Sequence, residues 1–153
     1  MCGGSGTDSL YGNRGSDALA GGDGSDVIDA GPPANGVHDD RLYGGNGRDV
    51  LIVVGVGAPI ERGGPDADAL FSDGANATML AEGGDDMAYG GDGADLMRGG
   101  PGNDVLQGGN QRDRIFGDGG DDSLGGGRDR NVLDGGDGTD TCVAAKVRRA
   151  CEG

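Results

Sequence analysis

The chain has no tryptophan, two phenylalanines and three tyrosines among 153 residues, and only 33% of it is apolar. So little apolar surface cannot offset the entropy of ordering the backbone, which excludes an ordinary packed core as the main source of stability. No stretch approaches the roughly 18 consecutive apolar residues of a membrane-crossing helix. Basic residues are scarce too, with 12 Lys and Arg against 27 Asp and Glu, for a net charge of −15. Phosphate recognition needs a basic face, so nucleic acid is not expected as a partner. Catalytic equipment is equally thin. The only histidine is His38, and there are three cysteines. G-x-S-x-G, H-E-x-x-H and Gly-Lys phosphate-loop motifs are all missing, and no catalysis is expected. Met1-Cys2-Gly3-Gly4 offers neither a basic nor an apolar leader region, so no signal peptide is visible, and a preceding N-terminal domain is an expectation.

What is present is glycine, 38 residues of it, far above the roughly 7% of ordinary proteins. Aspartate supplies nearly all the acid, and the two are ordered by a nine-residue period, G-G-x-G-x-D-x-(large apolar)-x. Gly3–Tyr11, Gly21–Asp29, Gly44–Ile52, Gly90–Arg98 and Gly99–Gln107 match at every position, and Gly135–Val143 departs only with Cys142 at the eighth. The segment 30–34, with Pro32 and Pro33, interrupts the period as an insertion, and 53–62 is a degenerate unit one residue too long. From Gly63 to Val143 the period holds without a slip.

Over residues 3–143 the chain resembles the repeats-in-toxin (RTX, haemolysin-type) family of calcium-binding nonapeptide repeats, whose unit is this one. The resemblance implies an all-β fold, a parallel β-roll (a two-sheet β-solenoid) of about fifteen nine-residue half-turns, with 144–153 as a short C-terminal cap. The residue types suit that role. Glycine reaches φ values forbidden to side chains, so six residues can turn tightly with carbonyls inward. The sixth-position aspartate adds a carboxylate, and Ca²⁺ takes about six to eight such oxygens at roughly 2.3–2.6 Å. The last three residues form a strand whose middle side chain points inward. That inward row reads Leu10, Leu19, Ile28, Leu42, Leu51, Leu70, Met79, Ala88, Met97, Leu106, Ile115, Leu124, Leu133 and Cys142.

In a roll of half-turns, the loops alternate sides. Odd units carry Asp8, Asp26, Asp49, Asp68, Asp86, Asp104, Asp122 and Asp140 at position six. Even units carry Asp17 and Asp40, nothing recognisable in 53–62, then Ala77, Asp95, Asp113 and Asn131. The glycines expected to shape the sites are Gly4, Gly6, Gly22, Gly24, Gly45, Gly47, Gly64, Gly84, Gly91, Gly93, Gly100, Gly102, Gly120, Gly136 and Gly138. An ion between successive same-side loops gives seven odd-side sites and two clear even-side ones, about nine Ca²⁺ in all. Nine dications would roughly cancel the charge of −15. Asp66, Ala81-Glu82 and Asp118 interrupt the glycine pattern on the odd side, and Gln111 and Asp129 on the even side.

A disulfide between Cys142 and Cys151 would pin the tail over the open end of the roll, and an oxidising, extracellular setting would favour it. Cys2 would be left over. His38 reads as a solvated loop residue, and the sequon Asn76-Ala77-Thr78 as chance. Outward positions carry Tyr11, Ile52, Phe71 and Tyr89 on one side, so a self-contact or partner contact through Phe71 and Tyr89 is one expectation. The functional expectation is a calcium-dependent folding and stabilising module of a secreted bacterial protein. The alternative is an adhesin or extracellular-matrix segment using an apolar strand face. An ice-binding face is discounted, because position seven carries no row of Thr or Asx.

Overall fold

The computed structural model describes residues 1–32, 39–74, 76–143 and 151, together with the backbone of 147–149. His38 and the insertion beyond Pro32 lie outside the described residues. Among the described residues there are seventeen strands and no helix. Nine form one parallel sheet, running Cys2–Ser5, Ala18–Asp23, Arg41–Asn46, Ile60–Gly64, Thr78–Glu82, Leu96–Pro101, Arg114–Gly119, Val132–Asp137 and Val147–Arg149. Eight form the other, running Ser9–Tyr11, Val27–Asp29, Val50–Val54, Ala69–Asp73, Met87–Asp92, Val105–Asn110, Ser123–Gly125 and Thr141–Val143. The chain alternates between them at every unit, so each strand pairs with the strand two units away and never with its sequence neighbour. This is the two-sheet roll that the nine-residue period implies.

The register follows the repeat. Met97 pairs with Ile115 and Leu106 with Leu124, in each case the same position two units further on. Leu19 pairs with Leu42 in the same way although five more residues separate them, and Ala30, placed by the sequence in the insertion 30–34, instead continues the roll, buried in the core with its N–H donating to the Ile52 carbonyl. Many strands run beyond the last three residues of their unit into the turn that follows. Leu96–Pro101, for example, continues through positions one to three of the next unit, and Gly100 and Pro101 pair with Asp118 and Gly119. Stacked turns present matching N–H and C=O groups along the same axis as the strands, so the ladder runs on into them.

The inward row is the core: all fourteen residues expected there are buried, none more exposed than Cys142 at 6%. In the degenerate unit the inward place falls to Glu61, paired with Leu42 on one side and Met79 on the other. Ala30, Val53 and Ala77 extend the core into the even-side turns. At the C-terminal end Val147–Arg149 adds a strand beside Val132–Asp134. Cys142 and Cys151 form a disulfide, and Cys151 packs on the core cluster. Cys2 is free and exposed. On the outer face Arg98 grips Asp118 with two hydrogen bonds and lies over the Phe116 ring, 5.7 Å from its centroid.

Candidate metal centre

The turns owe their shape to glycine at positions two and four. All fifteen glycines expected to shape the sites have positive φ, from 78° at Gly91 to 146° at Gly93. Close stacking demands glycine as well. A Cβ on Gly22 would lie 2.1 Å from the Gly4 carbonyl oxygen, and one on Gly24 would lie 2.0 Å from that of Gly6. Carbonyls of each turn therefore face directly into the next. Where the pattern lapses, Glu82, Gln111, Asp118 and Asp129 still adopt φ between 71° and 82°, so these turns keep their backbone path. Asp66 does not take a positive φ; its carboxylate instead accepts a hydrogen bond from the Gly47 N–H at 2.9 Å.

The sixth-position aspartates form two ladders. On the odd side the Asp8 N–H donates to Asp26 Oδ1, Asp26 to Asp49, and so on through Asp122 to Asp140, at 2.7–2.9 Å. On the even side Asp17 donates to Asp40, Ala77 to Asp95, Asp95 to Asp113 and Asp113 to Asn131. Each carboxylate thus uses one oxygen to hold the coil before it. The other oxygen is left over. Oδ2 of Asp8, Asp26, Asp49, Asp68, Asp86, Asp104 and Asp122, and of Asp17, Asp95 and Asp113, is buried with no hydrogen-bond partner. Orphaned buried oxygens are costly singly, and a file of them points to a cation.

Asn131 shows what those oxygens face. It sits where the other turns have aspartate, and its Nδ2 donates to the carbonyls of Gly126 and Arg128 in its own turn. Replace that nitrogen by Oδ2 and oxygen confronts oxygen. A hard cation between them satisfies both. Among the described residues no three Asp, Glu, His or Cys side chains converge on one point, so carbonyls must complete any coordination shell. An all-oxygen set of carboxylates and carbonyls fits Ca²⁺ and not zinc.

Without a cation the turns hold their charge at a cost. Burial pushes the carboxyls of Asp68, Asp95 and Asp104 up to about 7 and those of Asp49 and Asp113 to about 6. Burial raises Asp86 and Asp122 as well. The ladder hydrogen bonds work the other way, and neighbouring aspartates then add to the rise, as Asp86 and Asp122 do for Asp104.

The profile of the RTX calcium-binding nonapeptide repeat (4 copies) matches residues 3–32, 36–52, 71–106, 89–124, 98–133 and 116–145. The chain belongs to this family. Its repeats are RTX calcium-binding repeats, and its all-β, two-sheet parallel solenoid carries them on both edges. The stretch from Val53 to Leu70, which none of these matches covers, contains the degenerate unit. No curated protein matches the chain.

The RTX roll brings the expected aspartates together in two lines, with Asp26, Asp40, Asp49, Asp68, Asp86, Asp95, Asp104, Asp113, Asp122 and Asp140 all at 4% exposure or less. Asp8 and Asp17, in the first coils, are half-buried. Sequence reasoning passed over the position-one glycines, which do not have positive φ. They are glycine for a different reason. A Cβ on Gly99 would meet Asp104 Oδ2 at 2.0 Å, and one on Gly117 would meet Asp122 Oδ2 at 2.1 Å. A signal was in the repeat: position one carries Val53 and Ser72 in the two turns whose sixth residues are Pro59 and Ala77. Losing the carboxylate makes room for these larger side chains. Ala81, at the same position beside Asp86, shows that a lone methyl is still accommodated next to an aspartate. Glu61 was also overlooked. Burial raises its carboxyl to about 8, with the nearby Ser72 hydroxyl partly offsetting this and Asp95 adding to it.

Proposed function

We propose that this chain is a calcium-dependent folding and stabilising module of a secreted protein, with the sixth-position aspartates and the turn carbonyls as ligands of about nine Ca²⁺ ions. The observation that carries this is the file of buried Oδ2 atoms with no partner, seven along the odd side and three on the even side. In calcium-poor cytoplasm those oxygens and the net charge of −15 oppose the fold. Outside the cell, calcium supplies the missing partner, and binding free energy becomes folding free energy. The Cys142–Cys151 disulfide suits the same oxidising compartment. Far-UV circular dichroism of the metal-depleted chain during a calcium titration tests the reading: β-signal should appear with calcium and vanish with chelator. A spectrum unchanged by calcium would refute it.

A second reading, contact through the apolar strand face, is favoured by one observation. Ile52, Phe71 and Tyr89 are ladder neighbours on the outer face of the eight-stranded sheet, with Met87 and Val105 exposed beside them. If this face mediates contact, Phe71→Ser with Tyr89→Ser abolishes calcium-dependent association in analytical ultracentrifugation. Unchanged sedimentation would dispose of it.

A further inference from the structure

Position eight is apolar in every described unit except one. Glu61 occupies it in the unit Val53–Arg62, fully buried between Leu42 and Met79 in the inward row. Neither carboxylate oxygen completes a hydrogen bond. An acid in the one core row of the roll is destabilising unless something satisfies it. Ser72 pairs with Val53, the first residue of the same unit, and Asp95 lies one coil further on, where its Oδ1 accepts from the Ala77 N–H. Ser72 and Asp95, both on the even side, are the groups that act on its charge.

That side is where the turns have lost their own acids. Pro59 and Ala77 fill the sixth positions of two successive even units. Asp95 reaches back with Oδ1 to the Ala77 N–H at 2.8 Å, and its Oδ2 is left buried without a partner. The Ser72 Oγ lies close to Glu61 yet is likewise buried without completing a hydrogen bond. Ser72 stands at position one, where, among the described residues, a side chain larger than alanine occurs only in turns whose sixth residue carries no carboxylate, and Ala77 carries none. The substitutions are therefore connected. Two successive even-side turns carry no aspartate, position one carries a hydroxyl, and the core row carries a buried carboxylate with both oxygens unpartnered.

We propose that Glu61 is a calcium ligand supplied from inside the roll, which with Ser72 Oγ and Asp95 Oδ2 rebuilds a site on the even side where Ala77 leaves none. This rests on the reading that the other turns hold calcium. The competing account is a neutral buried acid facing a serine, with no ion. Native mass spectrometry of the full chain in calcium counts whole ions and separates the two. Glu61→Met continues the row of Met79 and Met97 and keeps the core filled; it should bind one Ca²⁺ fewer than the wild-type chain. Glu61→Gln keeps the shape, removes the charge, and should lose the same single ion, so it decides the matter if the methionine variant fails to show β-signal in calcium. An unchanged ion count in either folded variant overturns the inference while leaving the function intact. A wild-type chain that binds no calcium overturns both.

Discussion

Metal depletion should invert the usual effect of acid on this fold. In the empty roll, burial raises Asp68, Asp95 and Asp104 to about 7 and Asp49 and Asp113 to about 6, from an ordinary 3.8. At roughly 1.4 kcal/mol for each tenfold change in an acidity constant, each carboxylate opposes the metal-free fold by about 3–4 kcal/mol once ionised. Halved for screening by nearby solvent, the five together still reach roughly 10 kcal/mol, about the whole stability of a typical domain. Because the folded values are raised, the penalty is absent below the unfolded value near 3.8. It grows as pH rises and is complete above about 7. Lowering the pH from 8 to 5, still above the isoelectric point of 4.1, removes roughly half of it. Metal-depleted chain should therefore gain β-signal in circular dichroism between pH 8 and pH 5. The calcium-bound chain should do the opposite, since protons compete with the ion for the same oxygens. Loss of residual structure on acidification in the metal-free chain would refute the electrostatic account of why the empty turns do not close.

Two substitutions test the turn geometry. Gly99→Val places a branched side chain whose Cβ alone would lie 2.0 Å from Asp104 Oδ2 and 2.8 Å from the Gly117 carbonyl oxygen. It should cost about 1–3 kcal/mol by overpacking and raise the calcium midpoint of folding. Asn131→Asp exchanges a nitrogen that donates to the Gly126 and Arg128 carbonyls for an oxygen that cannot. The variant should bind one additional Ca²⁺ by native mass spectrometry and lose stability in chelator, whereas an unchanged ion count would contradict the reading of what Oδ2 faces.

Much of the architecture was legible because a nine-residue period constrains so much at once. The alternation of Leu10 with Leu19 and of Asp8 with Asp17 assigns sheets and sides, and the structure follows it through the insertion after Asp29. The disulfide between Cys142 and Cys151 was legible from an inward cysteine at the open end of the roll. Contacts between coils were harder to see. Gly99 and Gly22 look alike in the repeat, yet one is crowded by its own turn's carboxylate and the other is required by its φ of 120° and the Gly4 carbonyl of the coil before it. Glu61 hid in a unit whose extra residue blurred the register, so its inward position emerged only from its pairing with Leu42 and Met79. Asn131 reads as a weakened aspartate in sequence, while its amide in fact satisfies the turn by itself.

Anomalous diffraction from crystals grown in millimolar calcium addresses the central claim most directly. The account predicts a column of calcium peaks along the odd side, each in contact with the Oδ2 of an aspartate such as Asp68, Asp86 or Asp104. Ordered coils whose turns showed no anomalous density under those conditions would contradict it.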